Sequence, residues 1–203
     1  MIAGLDISHH NDHVDFDRLA SAGISFAFVK ASEGRRTKDI RYLENYRGLK
    51  SKQILRGAYH FFYPQLDPLA QANNFLRVVP SLEPGDLPPV LDIEVSGEKS
   101  SSVIASGIQQ WLDAVEKALG RRPIIYTGPG FWNSALAGSD AFSGYPLWVA
   151  HYTSDPAPSL PKGFPGFHFW QYSQSGKFPG IGGSVDMDWF NGTTADLRAL
   201  AGL

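Results

Sequence analysis

The sequence predicts an α/β protein folded as a barrel, with a regular first half and a strand-rich second half. Its 203 residues suffice for one domain with a sizeable core. Through the first two thirds, short apolar runs alternate with amphipathic segments, which is the pattern of parallel β/α units. After about Gly138, Pro, Gly and Ser become dense, and candidate strands follow one another without a long helix between them.

Candidate strands of the first part lie at 2–7, 25–31, 55–62, 89–95 and 123–126. The helix between the first two is short, at 15–22. Two more helices follow from apolar residues at helical spacing, which are Ile40, Leu43, Tyr46 and Leu49, and then Leu69, Ala72, Leu76 and Val79. The clearest helix has its apolar residues between Ile104 and Leu119, with Ser100 as an N-cap candidate and Gly120 as its end.

The second half adds candidate strands at 147–152, 168–172 and 186–190, and a closing helix at 194–200. No repeat period, low-complexity segment or long linker interrupts the chain. We therefore expect residues 1–203 to form a single catalytic domain.

The composition argues against nucleic acid and membranes as binding partners. A formal net charge of −2 does not favour nucleic acid, and no run approaches the roughly 20 apolar residues of a membrane span. Cysteine is absent, so we expect neither disulfides nor a thiolate metal site. The first residues do not resemble a signal peptide, which leaves a mature form or another export route.

Polar or aromatic residues stand at the carboxyl ends of the candidate strands. They are Asp6, Lys30 with Glu33, His60, Asp92 with Glu94, Tyr126, Tyr152, Gln171 and Asp186. In a barrel of parallel strands, these ends gather on one face, where catalytic residues lie. Aromatic residues make up 13% of the chain, and several adjoin polar residues, which favours a sugar-binding cleft.

The central candidate is the carboxylate pair Asp92 and Glu94, which belongs to an apolar strand. Side chains alternate along a strand, so both point to one side, with Cα atoms roughly 6.5–7 Å apart. Two like charges this close raise one pKa, and an acid beside a carboxylate is what glycosidic cleavage requires. The alternative is a structural ion pair with Lys30 or Arg56 of neighbouring strands.

A metal site is a second alternative for these acids. Asp6, Asp92, Glu94 and Asp186, joined by His60, could hold a hard cation. No zinc-type His-Glu-x-x-His spacing occurs, and no phosphate-binding or Gly-x-Ser-x-Gly motif is found. The polar run at 9–13 (HHNDH) is typical of a solvated loop. We expect no metal and no cofactor.

Eight segments, taken in order, resemble the glycoside hydrolase family 25 lysozymes, the Chalaropsis-type muramidases. They are GLDIS at 4–8, FVKASEG at 28–34, GAYHF at 57–61, LDIE at 91–94, PIIYT at 123–127, LWVAHY at 147–152, FWQYS at 169–173 and VDMDWF at 185–190. The resemblance covers nearly the whole chain. It implies an irregular TIM-like barrel of five β/α units followed by three further strands.

The resemblance also implies an activity, the hydrolysis of the β-1,4 bond between N-acetylmuramic acid and N-acetylglucosamine in peptidoglycan. Glu94 would be the general acid, and Asp92 would support the substrate's acetamido group as internal nucleophile, although direct attack by Asp92 stays open. Asp6 and Asp186 would be further active-site acids. The residues implied to line the sugar subsites are Tyr59 or His60, Tyr126, Tyr152, Trp170 and Gln171, with Lys30 as a ligand contact or counter-ion.

Two departures from the family pattern lie near the expected cleft. His9-His10-Asn11 replaces a glutamine-containing turn, and Asp188 replaces a common asparagine. The resemblance implies a secreted, wall-acting enzyme on peptidoglycan strands, with no nucleic acid or membrane partner, and we expect a monomer. Two other hypotheses remain: a chitin-type N-acetylglucosaminidase and a non-catalytic glycan-binding barrel.

Overall fold

The structure is a computed structural model that describes residues 1–11 and 13–203. Asp12, a member of the polar run at 9–13, lies outside the described residues. The strands are β1 (Ile2–Ile7), β2 (Phe26–Glu33), β3 (Thr37–Lys38), β4 (Leu55–Phe61), β5 (Val90–Asp92), β6 (Ile124–Thr127), β7 (Leu147–Ala150), β8 (Phe169–Gly176) and β9 (Val185–Phe190). The helices are α1 (Phe16–Ser21), α2 (Tyr42–Ser51), α3 (Pro68–Val78), α4 (Ser101–Leu119), α5 (Pro129–Ala135) and α6 (Thr194–Leu200).

Eight strands close into a mixed barrel, which confirms the predicted α/β barrel class. Strands β1, β2, β4, β5, β6, β7 and β8 lie side by side and pair in parallel. Strand β9 closes the barrel and runs antiparallel to both β8 and β1. The two-residue strand β3 folds back on the end of β2, so β2 and β3 form a hairpin at the carboxyl end of the barrel.

Two predicted helical faces are wrong in detail. Ile40 precedes α2, and Leu43 lies on it, but their side chains are 87% and 56% exposed. The buried face of α2 instead carries Tyr42, Asn45 and Leu49. Spacing among apolar residues alone missed this face because it contains a buried amide.

Buried amides explain the same error on α3, where Leu69 is exposed and Gln71 and Asn74 are buried. The Gln71 side chain accepts a hydrogen bond from the backbone N–H of Tyr63 and donates to its carbonyl oxygen. The Asn74 side chain donates to carbonyl oxygens of the β2–β3 hairpin. Helix α3 therefore fixes two loops at the carboxyl end of the barrel.

Helix α4 follows its prediction closely. The predicted face is buried from Ile104 to Val115, Leu119 at its end is partly buried, and Gly120 ends the helix with φ of 68°. Ser100 occupies the N-cap position but makes no side-chain capping bond. Helix α5 was not predicted, because seven residues with one buried side chain carry too little periodicity.

Aromatic side chains fill the barrel interior beneath the carboxyl-end face. The rings of Phe28 and Trp148 stack with centroids 4.3 Å apart. Two glycines make room for this packing: a Cβ atom at Gly4 would lie 2.2 Å from Phe26, and one at Gly57 would lie 2.4 Å from Phe28. The barrel interior is thus filled with side chains and does not form a channel. No helix of the described residues is long and apolar enough to cross a membrane.

Candidate active site

A pocket of about 110 Å³ opens at the carboxyl ends of the barrel strands. Acidic and aromatic residues make up most of its lining. The lining residues are Asp6, Lys30, Tyr59, Phe61, Asp92, Glu94, Tyr126, Trp148, Gln171 and Asp186. The structure therefore brings together all four predicted acids, from β1, β5 and β9 and the turn after β5, with four of the predicted ligand contacts.

Tyr152 lies at the edge of this pocket. Its side chain is 47% exposed, and its hydroxyl donates to Gln171 Oε1 over 2.6 Å. The Tyr126 hydroxyl donates to the same oxygen over 2.8 Å, while Gln171 Nε2 donates to Asp6 Oδ2 over 2.7 Å. These bonds fix the orientation of the Gln171 amide and connect two tyrosines to a buried carboxyl.

The structure does not bring His60 to the pocket. Side chains alternate along β4, so Tyr59 faces the pocket and His60 faces the surrounding helices. His60 is fully buried, its Nδ1 lies 2.8 Å from Ser32 Oγ, and its ring stacks against Trp111. Burial lowers the pKa of His60 to about 3, so the ring stays neutral. Of the two residues predicted as alternatives, Tyr59 lines the pocket and His60 does not.

Trp170 is also on the outer side of the barrel. It is buried, and its Nε1 donates to the carbonyl oxygen of His151 over 2.8 Å. Two pocket residues, Phe61 and Trp148, were missed. Both could have been found by strand alternation, since Phe61 lies two positions after Tyr59 on β4 and Trp148 stands in the β7 motif.

The predicted alternative of a structural ion pair for Asp92 and Glu94 is wrong. Lys30 pairs with Glu33 over 2.6 Å, and Arg56 pairs with Asp86 over 2.7 Å. Lys30 still lines the pocket, where its positive charge lowers the pKa of both acids. The pair therefore faces the pocket with Lys30 as a nearby charge rather than a bonded partner.

Asp92 and Glu94 differ in their surroundings. Asp92 ends β5 with a side chain that is almost fully buried, and its Oδ1 has no hydrogen-bond partner among the described residues. Glu94 follows the end of the strand and is reached by solvent from the cleft. Burial and the charge of Glu94 raise the pKa of Asp92 well above its usual range. Partial burial raises the pKa of Glu94, while a hydrogen bond between the two carboxyls lowers it.

A second acidic group lies beside the pair. Asp6 and Asp186 face each other across β1 and β9, and burial is the largest cause of the raised pKa of each, to about 6 for Asp186. Beneath them, Asp188 is fully buried and accepts a hydrogen bond from Trp148 Nε1 over 2.8 Å. Burial raises the pKa of Asp188 well above its usual range. These three carboxyls at the carboxyl-end face of the barrel therefore stay protonated at pH values at which exposed carboxyls are ionised.

Two depressions extend the pocket on opposite sides. One, of about 640 Å³, shares Glu94 and is lined by Ser96 and Phe131 among others. The other, of about 190 Å³, shares Lys30 and is lined by His9 and Ile40 among others. Together they form a groove with the acids at its middle, a shape that suits a chain-like substrate. A separate cleft of about 530 Å³ at the opposite end of the barrel contains none of these acids.

We predict that Asp188→Asn stabilises the protein at neutral pH. Below about pH 4, folded and unfolded chains both hold this proton; above it, only the unfolded chain releases it, so stability falls as pH rises through that window. Asn keeps an acceptor for Trp148 Nε1 and removes this loss. We expect a Tm gain of about 2–6 °C at pH 7 and little gain at pH 4, measured by calorimetry. A lower Tm at pH 7 would contradict the prediction.

The acids of the pocket belong to the described part of the chain, residues 1–11 and 13–203. No group of three or more His, Cys, Asp or Glu side chains in that part of the chain is arranged to hold a metal ion. The polar run at 9–13 contributes two described histidine–carboxylate pairs, His9 Nδ1 with Asp39 Oδ2 at 2.7 Å and His13 Nδ1 with Glu44 Oε1 at 3.4 Å.

Comparisons with known proteins agree with this geometry. The sequence profile described as "Glycosyl hydrolases family 25" matches residues 5–181. The uncharacterised protein YegX of Escherichia coli is 39% identical, and the match covers 98% of this chain and 72% of that protein. "Lysozyme M1" of Streptomyces globisporus is 38% identical over 98% of this chain and 72% of its own length.

A solved structure shows the same fold. The bacterial lysozyme from Streptomyces coelicolor superposes with a TM-score of 0.95 at 36% identity, covering 98% of this chain and 96% of that one. The profile match spans well over half of the chain, and the relatives are similar along nearly all of it. The protein belongs to the glycoside hydrolases of family 25.

Proposed function

We propose that this chain is a lysozyme that hydrolyses the β-1,4 bond between N-acetylmuramic acid and N-acetylglucosamine in peptidoglycan. The observation that carries this proposal is the pair of Asp92 and Glu94 in one pocket, each with a raised pKa, and with further depressions beside Glu94 and beside Lys30. The lysozyme named among its relatives supports the same substrate class.

We propose substrate assistance rather than direct attack by Asp92. Asp92 is almost fully buried, whereas Glu94 is exposed in the same pocket, so the two carboxyls reach different depths of one site. The substrate's own acetamido oxygen can attack C1 from the opposite side.

Asp92 has the position to orient that acetamido group. Its unpartnered Oδ1 can accept the acetamido N–H, which increases electron density on the attacking oxygen. Before substrate binds, the more deeply buried Asp92 holds a proton, because burial and the charge of Glu94 raise its pKa well above the usual range. An acetamido N–H that bonds to Asp92 favours its ionised form, so substrate binding moves the proton to Glu94.

Glu94 then acts as the general acid. As the acetamido oxygen bonds to C1 of muramic acid, the C1–O bond breaks and the Glu94 proton passes to the leaving O4 of glucosamine. The Glu94 carboxylate next removes a proton from a water molecule, whose oxygen bonds to C1. The bond between C1 and the acetamido oxygen then breaks, which restores the acetamido group. Further polar residues of the pocket bind the sugar hydroxyls next to the scissile bond and set the charge around the acid pair. They are Asp6, Asp186, Gln171, Tyr126 and Tyr152.

The charge of Lys30 should set the pH range of this reaction. Lys30 lowers the pKa of both Asp92 and Glu94, so Lys30→Gln raises both. Activity is lost at high pH when Glu94 loses its proton and at low pH when Asp92 stays protonated. We expect both limbs of the kcat/KM profile to move to higher pH in Lys30→Gln, while Lys117→Gln on α4 leaves them in place. A shift to lower pH would contradict this role.

Chelation should not affect the reaction. The acids of the pocket are held by one another, by Gln171 and by Trp148, and no metal-holding arrangement occurs among the described residues. We expect turnover in EDTA to match turnover without it. Strong inhibition that a single metal ion reverses would revive the metal hypothesis.

Release of new reducing ends from purified peptidoglycan tests the proposed substrate. We expect the wild-type protein to release them from peptidoglycan and to act weakly on chitin oligosaccharides. The reverse preference would favour a chitin-type N-acetylglucosaminidase. Binding of glycan with no reducing ends from either substrate would favour a glycan-binding barrel.

The place of action follows from the same proposal. A peptidoglycan substrate requires action at the cell wall, so we propose a secreted or otherwise wall-delivered enzyme with glycan strands as its partner. We also propose that it acts as a monomer. Light scattering at assay concentration would test the monomer.

A further inference from the structure

A basic patch lies beside the acidic groove, although the chain as a whole carries a net charge of −2. Arg35 and Arg36, in the turn of the β2–β3 hairpin, and Arg77 of α3 line a depression of about 290 Å³. Its remaining lining residues, Ala70 and Asn73, are uncharged. Three guanidinium groups therefore surround one depression whose lining contains no acid.

The patch is held in place by buried hydrogen bonds. Asn74 is fully buried, and its Nδ2 lies 3.3 Å from the carbonyl oxygen of Glu33 and 3.0 Å from those of Gly34 and Thr37. Arg77 Nη2 donates weakly to the carbonyl oxygen of Arg35 over 3.4 Å. The hairpin turn is thus fixed before any ligand binds, which reduces the entropy cost of binding.

The charges of the patch are not used within the described part of the chain. Arg35, Arg36, Lys38 and Arg77 form no ion pair with a described acid, whereas neighbouring Arg41 pairs with Glu44 over 2.9 Å. Exposed like charges held close together repel one another unless an anion lies between them. The unpaired positive charges of the patch therefore favour the binding of an anionic ligand.

The hairpin also borders the substrate groove. Glu33 and Thr37 line the depression that shares Lys30 with the acidic pocket, as do Lys38 and Ile40. The same hairpin therefore lines both the depression beside the acidic pocket and the depression that holds Arg35 and Arg36. An exposed isoleucine beside a lysine suits a peptide with methyl and carboxylate groups better than a phosphate polymer.

We propose that Arg35, Arg36 and Arg77, with Lys38, bind the carboxylates of the peptide stem carried by the muramic acid residue at the cleavage site. This inference rests on the proposed function and adds a specificity determinant to it. Guanidinium groups match carboxylates with paired hydrogen bonds.

The test compares two variants with equal charge changes. One is Arg35→Gln/Arg36→Gln/Arg77→Gln; the control is Arg47→Gln/Lys117→Gln/Lys162→Gln, whose exposed side chains line none of the depressions described above. The activity of each variant is measured on three substrates. These are peptidoglycan that carries its peptide stems, the same strands after an amidase has removed the stems, and cell walls from which teichoic acid has been removed. Activity on stripped strands also reports correct folding.

We expect the patch variant to lose about tenfold in kcat/KM on stem-bearing strands at low salt, and less at high salt. On stripped strands it should match the wild type within about twofold, with no dependence on teichoic acid. An equal loss on both substrates, no loss, or a loss only on walls with teichoic acid would overturn the proposal. Failure of the proposed function differs, because the wild type itself would then cleave neither kind of strand.

Discussion

Replacing Glu94 with Gln is expected to lower kcat on peptidoglycan by about 10²–10⁴-fold, the range typical of general acid catalysis. The amide keeps the size of the side chain but has no proton to transfer to the leaving oxygen. Since Glu94 is reached by solvent from the cleft, the fold should survive the change. Steady-state release of reducing ends measures the loss, and calorimetry confirms that the variant is folded.

Glu116→Gln offers a matched control on α4, where Glu116 pairs with Arg122 over 3.5 Å. This change removes the same charge away from the pocket, so activity should stay near the wild-type level. A Glu94→Gln variant with nearly full activity would mean that another group donates the proton.

Asp92→Asn is expected to cost about 10²–10³-fold in kcat, similar to the loss of one preorganised stabilising group. The amide can still accept the acetamido N–H, but it carries no negative charge to stabilise the positive charge that develops on the acetamido group. Because Asp92 is buried and its pKa is raised, a neutral replacement should not destabilise the fold at pH 7. Thermal melting checks this point.

Asp113→Asn is the control for this second variant. Asp113 is an exposed acid of α4 whose Oδ1 accepts from Gln109 Nε2 over 2.7 Å. It should leave turnover unchanged. Unchanged turnover in Asp92→Asn as well would remove its electrostatic role. A covalent adduct on Asp92 with a slow substrate would instead establish it as the nucleophile.

The barrel class could be predicted because strand–helix alternation has few stable solutions. The direction of β9 could not, since a short apolar strand has the same pattern in either direction. The lengths of α2 and α3 were near their predictions, but their buried faces include Asn45 and Asn74. Asn74 is buried because its side chain holds the β2–β3 hairpin, and loop positions depend on the tertiary structure.

The acidic site could be predicted in outline because the carboxyl ends of parallel strands converge on one face. The choice between Tyr59 and His60 could not, since residues on both faces of β4 are largely buried and hydrophobicity does not reveal the inward phase. Trp170 was placed in the site for the same reason. The raised pKa values of Asp92 and Glu94 depend first on their burial, which only the folded structure shows.

Mass spectrometry of borohydride-reduced fragments from purified peptidoglycan tests the central claim most directly. Digestion by the wild-type protein should give fragments that end in reduced N-acetylmuramic acid, and Glu94→Gln should give almost none. Fragments ending in reduced N-acetylglucosamine, or no new reduced ends from the wild-type protein, would contradict the proposed muramidase.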